Sequence, residues 1–322
     1  MKRLALILGL VGLIAATGMV VYQGAGSVIA LFASVGWGLL LIPLYHIVPM
    51  AANGRAWQVL LPGERQPSYK FFVWMVWVRE GINAMLPVLR VGGEVVGARL
   101  MMARGVRTRP AVATLVADMT MSLLSQFAFT MIGLALLVAR SGDWSLTGNI
   151  AFGLVIAVPV MAAFGLVQRV GLFGLFARLF RAMFGQRFDR MVGGSAALDR
   201  AVRVIYRRPA RVFACGFWQL VGWLVSSGEV WIALQFLGYP RSVGDAILIT
   251  ALIEAASSGA FLVPGALGVQ EGSYIVLGHV LGLSPEVSLA LALVRRARDV
   301  LVYGPALALW QIGEGRRLMA RA

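Results

Sequence analysis

The sequence predicts an all-α polytopic membrane protein made of two inverted repeats, each of two helices, a re-entrant hairpin and one further helix. Three observations lead there. Hydrophobic residues make up 59% of the 322 residues and charged residues only 13%, against about 45–50% and about 25% in soluble domains. The 29 basic residues sort to one side of the apolar segments only if two of those segments enter and leave on the same face. Pro87, Glu94 and Gly105, spaced 7 and 11 apart, recur as Pro264, Glu271 and Gly282 with the same spacing. The composition excludes a soluble enzyme, and a disordered chain would need far lower hydrophobicity. Mean hydropathy is +0.81. The net charge of +15 would suggest nucleic acid in a soluble protein; here it points to cytoplasmic loops facing anionic headgroups, with no nucleic-acid partner.

The elements follow in chain order. Residues 4–21 pass for a signal peptide by composition but precede further spans, so they read as a retained first helix. Residues 27–50 return to the side of Lys2 and Arg3. Residues 71–103 are apolar but interrupted. A single crossing there would put Arg104, Arg107 and Arg109 outside, along with ten arginines between 169 and 211, so this stretch reads as a hairpin within the membrane. Residues 111–138 then go out, 150–167 return and 212–237 go out again. Residues 246–283 form a second hairpin and residues 287–311 the last span. This places 21 of the 29 basic residues in the cytoplasm together with both termini. Arg140 and Arg241 lie outside, and Arg79, Arg90, Arg99, Arg295, Arg296 and Arg298 lie at membrane depth. The first repeat is residues 1–148 and the second 149–322. Between 169 and 211, phenylalanines and leucines alternate with arginines, which reads as a basic amphipathic stretch against anionic inner-leaflet lipids; a solvated interhelical loop remains the plainer reading.

Three crossings per repeat invert the second half relative to the first, and interrupted segments at matching positions are a mark of secondary transporters. Pro87 and Pro264 read as the structural breaks of the hairpins. The glycines beside them, Gly92, Gly93, Gly265 and Gly268, supply the permissive backbone.

Charges at membrane depth cost at least about 2.5–3.5 kcal/mol each and are functional by default. The first hairpin carries Arg79, Glu80, Asn83, Arg90 and Glu94, and the next helix Asp118. The second half carries Glu229, Glu254, Glu271, Arg295, Arg296, Arg298 and Asp299. Unpaired, they would prevent insertion, so they imply a polar cavity between the halves. Asp118 and Arg295 fall at equivalent repeat positions with opposite charge, which suggests a pair across the pseudo-twofold axis. Glu80 beside Arg79 reads as a local ion pair, Arg99 as snorkelling to headgroups, Glu229 as close to an interface, and His46, between Pro43 and Pro49, as packed. Glu94, Asp118, Glu254 and Glu271 are the proton-carrying candidates. Cys215 is the one cysteine and His46 and His279 the two histidines, so no metal site, no cofactor and no disulfide is expected. No catalytic constellation and no ATP-binding motif stands out, so enzymatic activity is not expected.

The run Pro264-Gly265-Ala266-Leu267-Gly268-Val269-Gln270-Glu271 resembles the Pro-Gly-Gly-Leu-Gly-x-x-Glu signature of the lysylphosphatidylglycerol synthase transmembrane family, a flippase-like family, with Ala266 departing from its second glycine. Asn83-x-x-Leu86-Pro87 and Arg90-x-Gly92-Gly93-Glu94 are similar to that family's first-half motif. Residues 91–99 and 117–120 resemble the branch associated with hopanoid biosynthesis. The resemblance spans about residues 4–311. It implies a lipid translocator of the bacterial cytoplasmic membrane, moving hopanoids toward the outer membrane. A flippase for aminoacylated or other polar-headed phospholipid stays open, as do an ion or small-solute transporter, an intramembrane enzyme and a scaffold. A homo-oligomer is also left open.

Overall fold

The computed structural model describes residues 25–61, 67–86, 92–141, 195–259 and 267–319. Every regular element among them is helical: α1 (Ala25–Ser34), α2 (Gly38–Tyr45), α3 (Ile47–Leu60), α4 (Tyr69–Met85), α5 (Gly92–Ala103), α6 (Thr108–Ser141), α7 (Ser195–Tyr206), α8 (Pro209–Phe236), α9 (Val243–Gly259), α10 (Val269–Val280) and α11 (Pro285–Met319). The expected spans at 4–21 and 150–167, and residues 169–194 of the amphipathic stretch, lie outside the described residues. Among the described residues, one helix, Thr108–Arg140, is long and apolar enough to cross a membrane by length and composition.

The expected single span at 27–50 is instead three helices, and the third runs on to Leu60. Largely apolar character concealed two breaks. Gly36 adopts φ 51° between α1 and α2, a conformation that side chains with a Cβ resist. Pro49 has no N–H to give the Tyr45 carbonyl, so α3 starts afresh after His46. The joint stays compact, because His46 N–H reaches the Ile42 carbonyl at 3.1 Å and Met50 N–H the His46 carbonyl at 3.3 Å.

The two hairpin regions have matching dimensions. Their first arms, α4 and α9, are each 17 residues, and their second arms, α5 and α10, each 12. At about 1.5 Å per residue a 12-residue arm reaches about 18 Å, well short of an apolar layer about 30 Å thick. α4 packs on α5 and α9 on α10. Ser68 caps α4 by accepting from the Phe71 N–H. At the start of α10, Gly268 takes φ 78° and its N–H is bound by the Glu271 carboxylate at 2.7 Å.

Packing joins elements from both halves of the sequence. α3 lies along α8, α4 along α11 and α9 along α6. Within the halves, α3 contacts α4 and α6, α5 contacts α6, α8 contacts α9 and α11, and α10 contacts α11. Two apolar clusters result. One gathers around Trp57, Phe72, Met75, Met101, Leu115 and Cys215. The other gathers around Val35, Ile42, Leu234, Leu248, Ile249 and Leu291. α7 sits against α6 and α8, burying Val202 and Ile205 while Arg200, Arg203 and Arg207 stay exposed, as a basic amphipathic helix does.

Close approach of α5 to α4 depends on Gly93. A Cβ there would run into the Arg79 carbonyl oxygen and lie 2.7 Å from Asn83 Oδ1. Gly93→Ala should therefore destabilise the detergent-solubilised protein by about 1–3 kcal/mol. Gly304→Ala, where an added methyl meets nothing within 4 Å, should be neutral or slightly stabilising. Thermal unfolding of the two variants side by side checks the contrast.

Candidate functional site

A cavity of about 420 Å³ opens among α3, α4, α6, α8, α9 and α11. Six carboxylates line it, from Glu80, Glu94, Asp118, Glu229, Glu254 and Asp299, against four guanidiniums, from Arg79, Arg295, Arg296 and Arg298. The polar groups fall into four linked constellations.

The first centres on Asp118, which is fully buried. Arg79 Nη1 donates to its Oδ2 at 2.7 Å and Gln219 Nε2 to its Oδ1 at 2.8 Å. α4, α6 and α8 are thereby tied at one carboxylate. Arg79 also lies over the Trp57 ring, 5.0 Å from the centroid, and 3.7 Å from Glu94. Glu94 is the third residue of α5, where a carboxylate complements the free N–H groups of a first turn. Asn83 completes the group: its amide donates to Glu94 at 3.2 Å and its oxygen accepts the Gly93 N–H at 2.9 Å.

The second constellation joins Glu254 on α9 to Arg295 on α11. The third joins Glu271, the third residue of α10, to Arg296 Nε at 3.0 Å while the same carboxylate caps Gly268. The fourth surrounds His46. Its Nδ1 lies 2.6 Å from Glu229, and its Nε2 lies 3.0 Å from the Tyr303 hydroxyl and 3.7 Å from Glu80. Arg298 stands 3.0 Å from Glu229 and 2.8 Å from Asp299. Asn53 donates to Glu80 at 3.2 Å.

Several expected pairings are corrected. Asp118 pairs with Arg79 and Arg295 with Glu254, not with each other: each half joins its hairpin's first arm to its own long helix. Glu80 does not serve as Arg79's neighbour in sequence. Adjacent helical residues point about 100° apart, so Glu80 turns to Asn53 and His46 while Arg79 turns to Asp118. Glu229 is buried among protein groups. His46 is buried too, but as the centre of a polar group rather than as apolar packing. Arg99 is exposed. Pro87, Arg90, Pro264 and Gly265 lie outside the described residues; Gly92 opens α5.

Sequence reasoning passed over Tyr303, Gln219, Asn53 and the role of His46. One signal was available for His46: a polar residue flanked by prolines at membrane depth sits at a helix break, where backbone and side chain both need partners. Among the described residues no group of histidine, cysteine and acidic side chains is arranged to hold a metal.

The family model described as the lysylphosphatidylglycerol synthase TM region matches residues 4–306. The chain belongs to this family. It is therefore a transmembrane protein, and the family ties it to lipids. No curated protein and no solved structure matches it. In this member of the lysylphosphatidylglycerol synthase TM family, a buried guanidinium and carboxylate hold the site together. Arg79→Ala should destabilise by about 3–5 kcal/mol, because it leaves Asp118 charged and unpaired. Arg79→Ala with Asp118→Asn should recover much of that loss. Combining Asp118→Arg with Arg295→Asp should recover nothing, whereas combining it with Arg79→Asp should recover part. Unfolding midpoints of the single and double variants test this.

Proposed function

We propose that the protein is a lipid translocator of the bacterial cytoplasmic membrane, not an enzyme, with both termini cytoplasmic and a charged cavity between two inverted repeats. The observation that carries the reading is the cavity itself. In a transmembrane protein of a lipid-linked family, about 420 Å³ of space lined by ten charged side chains has a cost that only a polar cargo or its coupling explains. An inverted repeat accounts for the packing: exchanging the halves turns α4 on α11 into α9 on α6, α5 on α6 into α10 on α11, and leaves α3 on α8 unchanged. It also accounts for the equal arm lengths, for Glu94 and Glu271 at the same position of the second arms, and for an ion pair from first arm to long helix in each half, Arg79–Asp118 and Glu254–Arg295, of opposite polarity. The short second arms suit re-entrant segments lining a cavity.

For cargo, the similarity of residues 91–99 and 117–120 to the hopanoid-associated branch favours a hopanoid, carried toward the outer membrane. The surplus of carboxylates over guanidiniums in the lining favours a head bearing hydroxyls or an amine. An aminoacylated phospholipid meets the same electrostatic requirement and is the second reading. The exposed arginines of α7 suit anionic lipids of the inner leaflet.

Reconstitution in liposomes decides among these. Labelled polyol-bearing hopanoid, aminoacylated phosphatidylglycerol and phosphatidylethanolamine are presented to wild type, Glu94→Gln and Glu271→Gln. Wild type should move at least one lipid between leaflets, and each variant should slow that movement by about tenfold, the effect of one lost charge-assisted contact. Wild-type rates from both variants for every lipid would remove Glu94 and Glu271 from the site.

A further inference from the structure

The guanidinium–carboxylate pairs of the cavity respect the boundary between the sequence halves. Arg79 with Asp118 and Glu94 lies within the first half; Arg295 with Glu254, Arg296 with Glu271, and Arg298 with Glu229 lie within the second. Outside the cavity Arg140 on α6 pairs with Asp245 on α9 across the boundary, but the cavity's own crossing contacts are of a different kind. Gln219 reaches Asp118, Gln126 reaches Ser258, and Tyr45 reaches the Val225 carbonyl. These are neutral amides and hydroxyls. His46 crosses as well, to Glu229 on α8 and Tyr303 on α11, and an imidazole can gain a charge near neutral pH.

Its surroundings supply a place for that charge. With the imidazole neutral, Nδ1–H donates to Glu229 at 2.6 Å and Nε2 accepts the Tyr303 O–H at 3.0 Å. When a proton is added, Nε2 becomes a donor and must turn to an acceptor. The Tyr303 oxygen remains in place, and the Tyr303 O–H is free to rotate to Glu80 Oε2, 3.4 Å away. Glu80 itself lies 3.7 Å from Nε2, and its side chain is more open than the histidine's, at 23% exposure against 9%. The added proton therefore reverses one hydrogen bond and breaks none. It also makes His46–Glu229 an ion pair joining the halves. The charged groups facing the imidazole are Glu229 from α8, Arg298 from α11 and Glu80 from α4, with Tyr45 adjacent in its own chain; on α6, Asp118 is engaged by Arg79 and Gln219.

We infer that His46 is a proton-binding site that latches the two halves of the protein together, and that its protonation and release couple lipid movement to a proton gradient. The coupling rests on the translocator reading; the proton site does not. The proton enters from the cavity past Glu80, settles on Nε2, and leaves by the same wire in reverse. The bond to the Glu229 carboxylate is charge-assisted in both states, and protonation adds the attraction of opposite charges in a poorly solvated site, so the protonated state holds the halves closed and the neutral state lets them part. Placing the helix break at His46, between α2 and α3, puts the switch where the first half bends.

The chain has two histidines, which makes the test direct. Full-length protein with His279→Asn, labelled with ¹⁵N-histidine and held in nanodiscs, reports on His46 alone. Its imidazole should gain and lose a proton over the titration. Glu80→Gln should lower its proton affinity about tenfold, since an opposite charge this close favours the charged form, and Tyr303→Phe should alter the titration while leaving Glu229 in place. An imidazole locked in one state from about pH 5 to 9, or a titration indifferent to Glu80→Gln, overturns the site. In liposomes, wild-type transport of the lipid panel should change with an imposed pH difference, and His46→Gln should abolish that dependence. Tyr303→Phe, which keeps the histidine and its ion pair, serves should His46→Gln fail to fold, and should shift the pH dependence. Transport indifferent to pH overturns the coupling. Absence of lipid movement by wild type at any pH overturns the translocator reading and the coupling together, while the titration still decides the proton site.

Discussion

Asp118 is the constraint on which the centre of this protein depends. A carboxylate with no exposure to solvent, inside a transmembrane protein, persists only when a cation and further donors reach it. Arg79 comes from the first arm of a hairpin and Gln219 from a helix of the other half, so three elements are positioned by one side chain. Arg79 in turn needs the Trp57 face and Glu94. Glu94 needs Asn83, which also holds the Gly93 N–H. The close contact of α5 on α4 is thus the far end of a chain of satisfied polar groups that starts at Asp118.

Much of this was legible in the sequence, and the reason is cost. Charges in an apolar chain are rare enough to be noticed, and glutamates seven residues beyond each hairpin proline stood out for that reason. The structure places both as the third residue of a 12-residue arm. Helix existence was equally plain, since long apolar runs leave no alternative. What did not come through was rotation and partner choice. Equivalence by repeat counting brought Asp118 and Arg295 into register but said nothing of which face each helix turns inward, and each found a partner within its own half. The break between α2 and α3 was marked only by His46 between Pro43 and Pro49, in a stretch otherwise apolar. Tyr303 was invisible for a related reason: a tyrosine in an apolar span reads as packing until its hydroxyl is seen between a histidine and a glutamate.

Keeping the cavity's ion pairs inside each half has a mechanical consequence. Two bodies that share buried ion pairs resist separation strongly, since parting leaves uncompensated charges on both sides. Bodies that each neutralise their own charges around the cavity, and meet there through amides, hydroxyls and one imidazole, separate at lower cost, and in the Arg140–Asp245 pair that crosses outside it the arginine is already exposed to solvent. A protein that presents a polar site alternately to two faces of a membrane needs the second arrangement. The reversed sign of Arg79–Asp118 and Glu254–Arg295 fits this as well: what both halves need is a neutral link from hairpin arm to long helix, and either polarity provides it.

The same separation explains why so many charges are tolerated beside an open cavity. Were the carboxylates held only by a cargo's head, the empty protein would carry them bare. Here the resident guanidiniums satisfy most of that demand, and on the translocator reading proposed above the modest carboxylate surplus in the lining is what remains to attract a head. A site filled mainly by its own counter-charges binds weakly and releases readily. For a translocator, which must let its cargo go on the far side, weak retention of the head is a requirement rather than a defect.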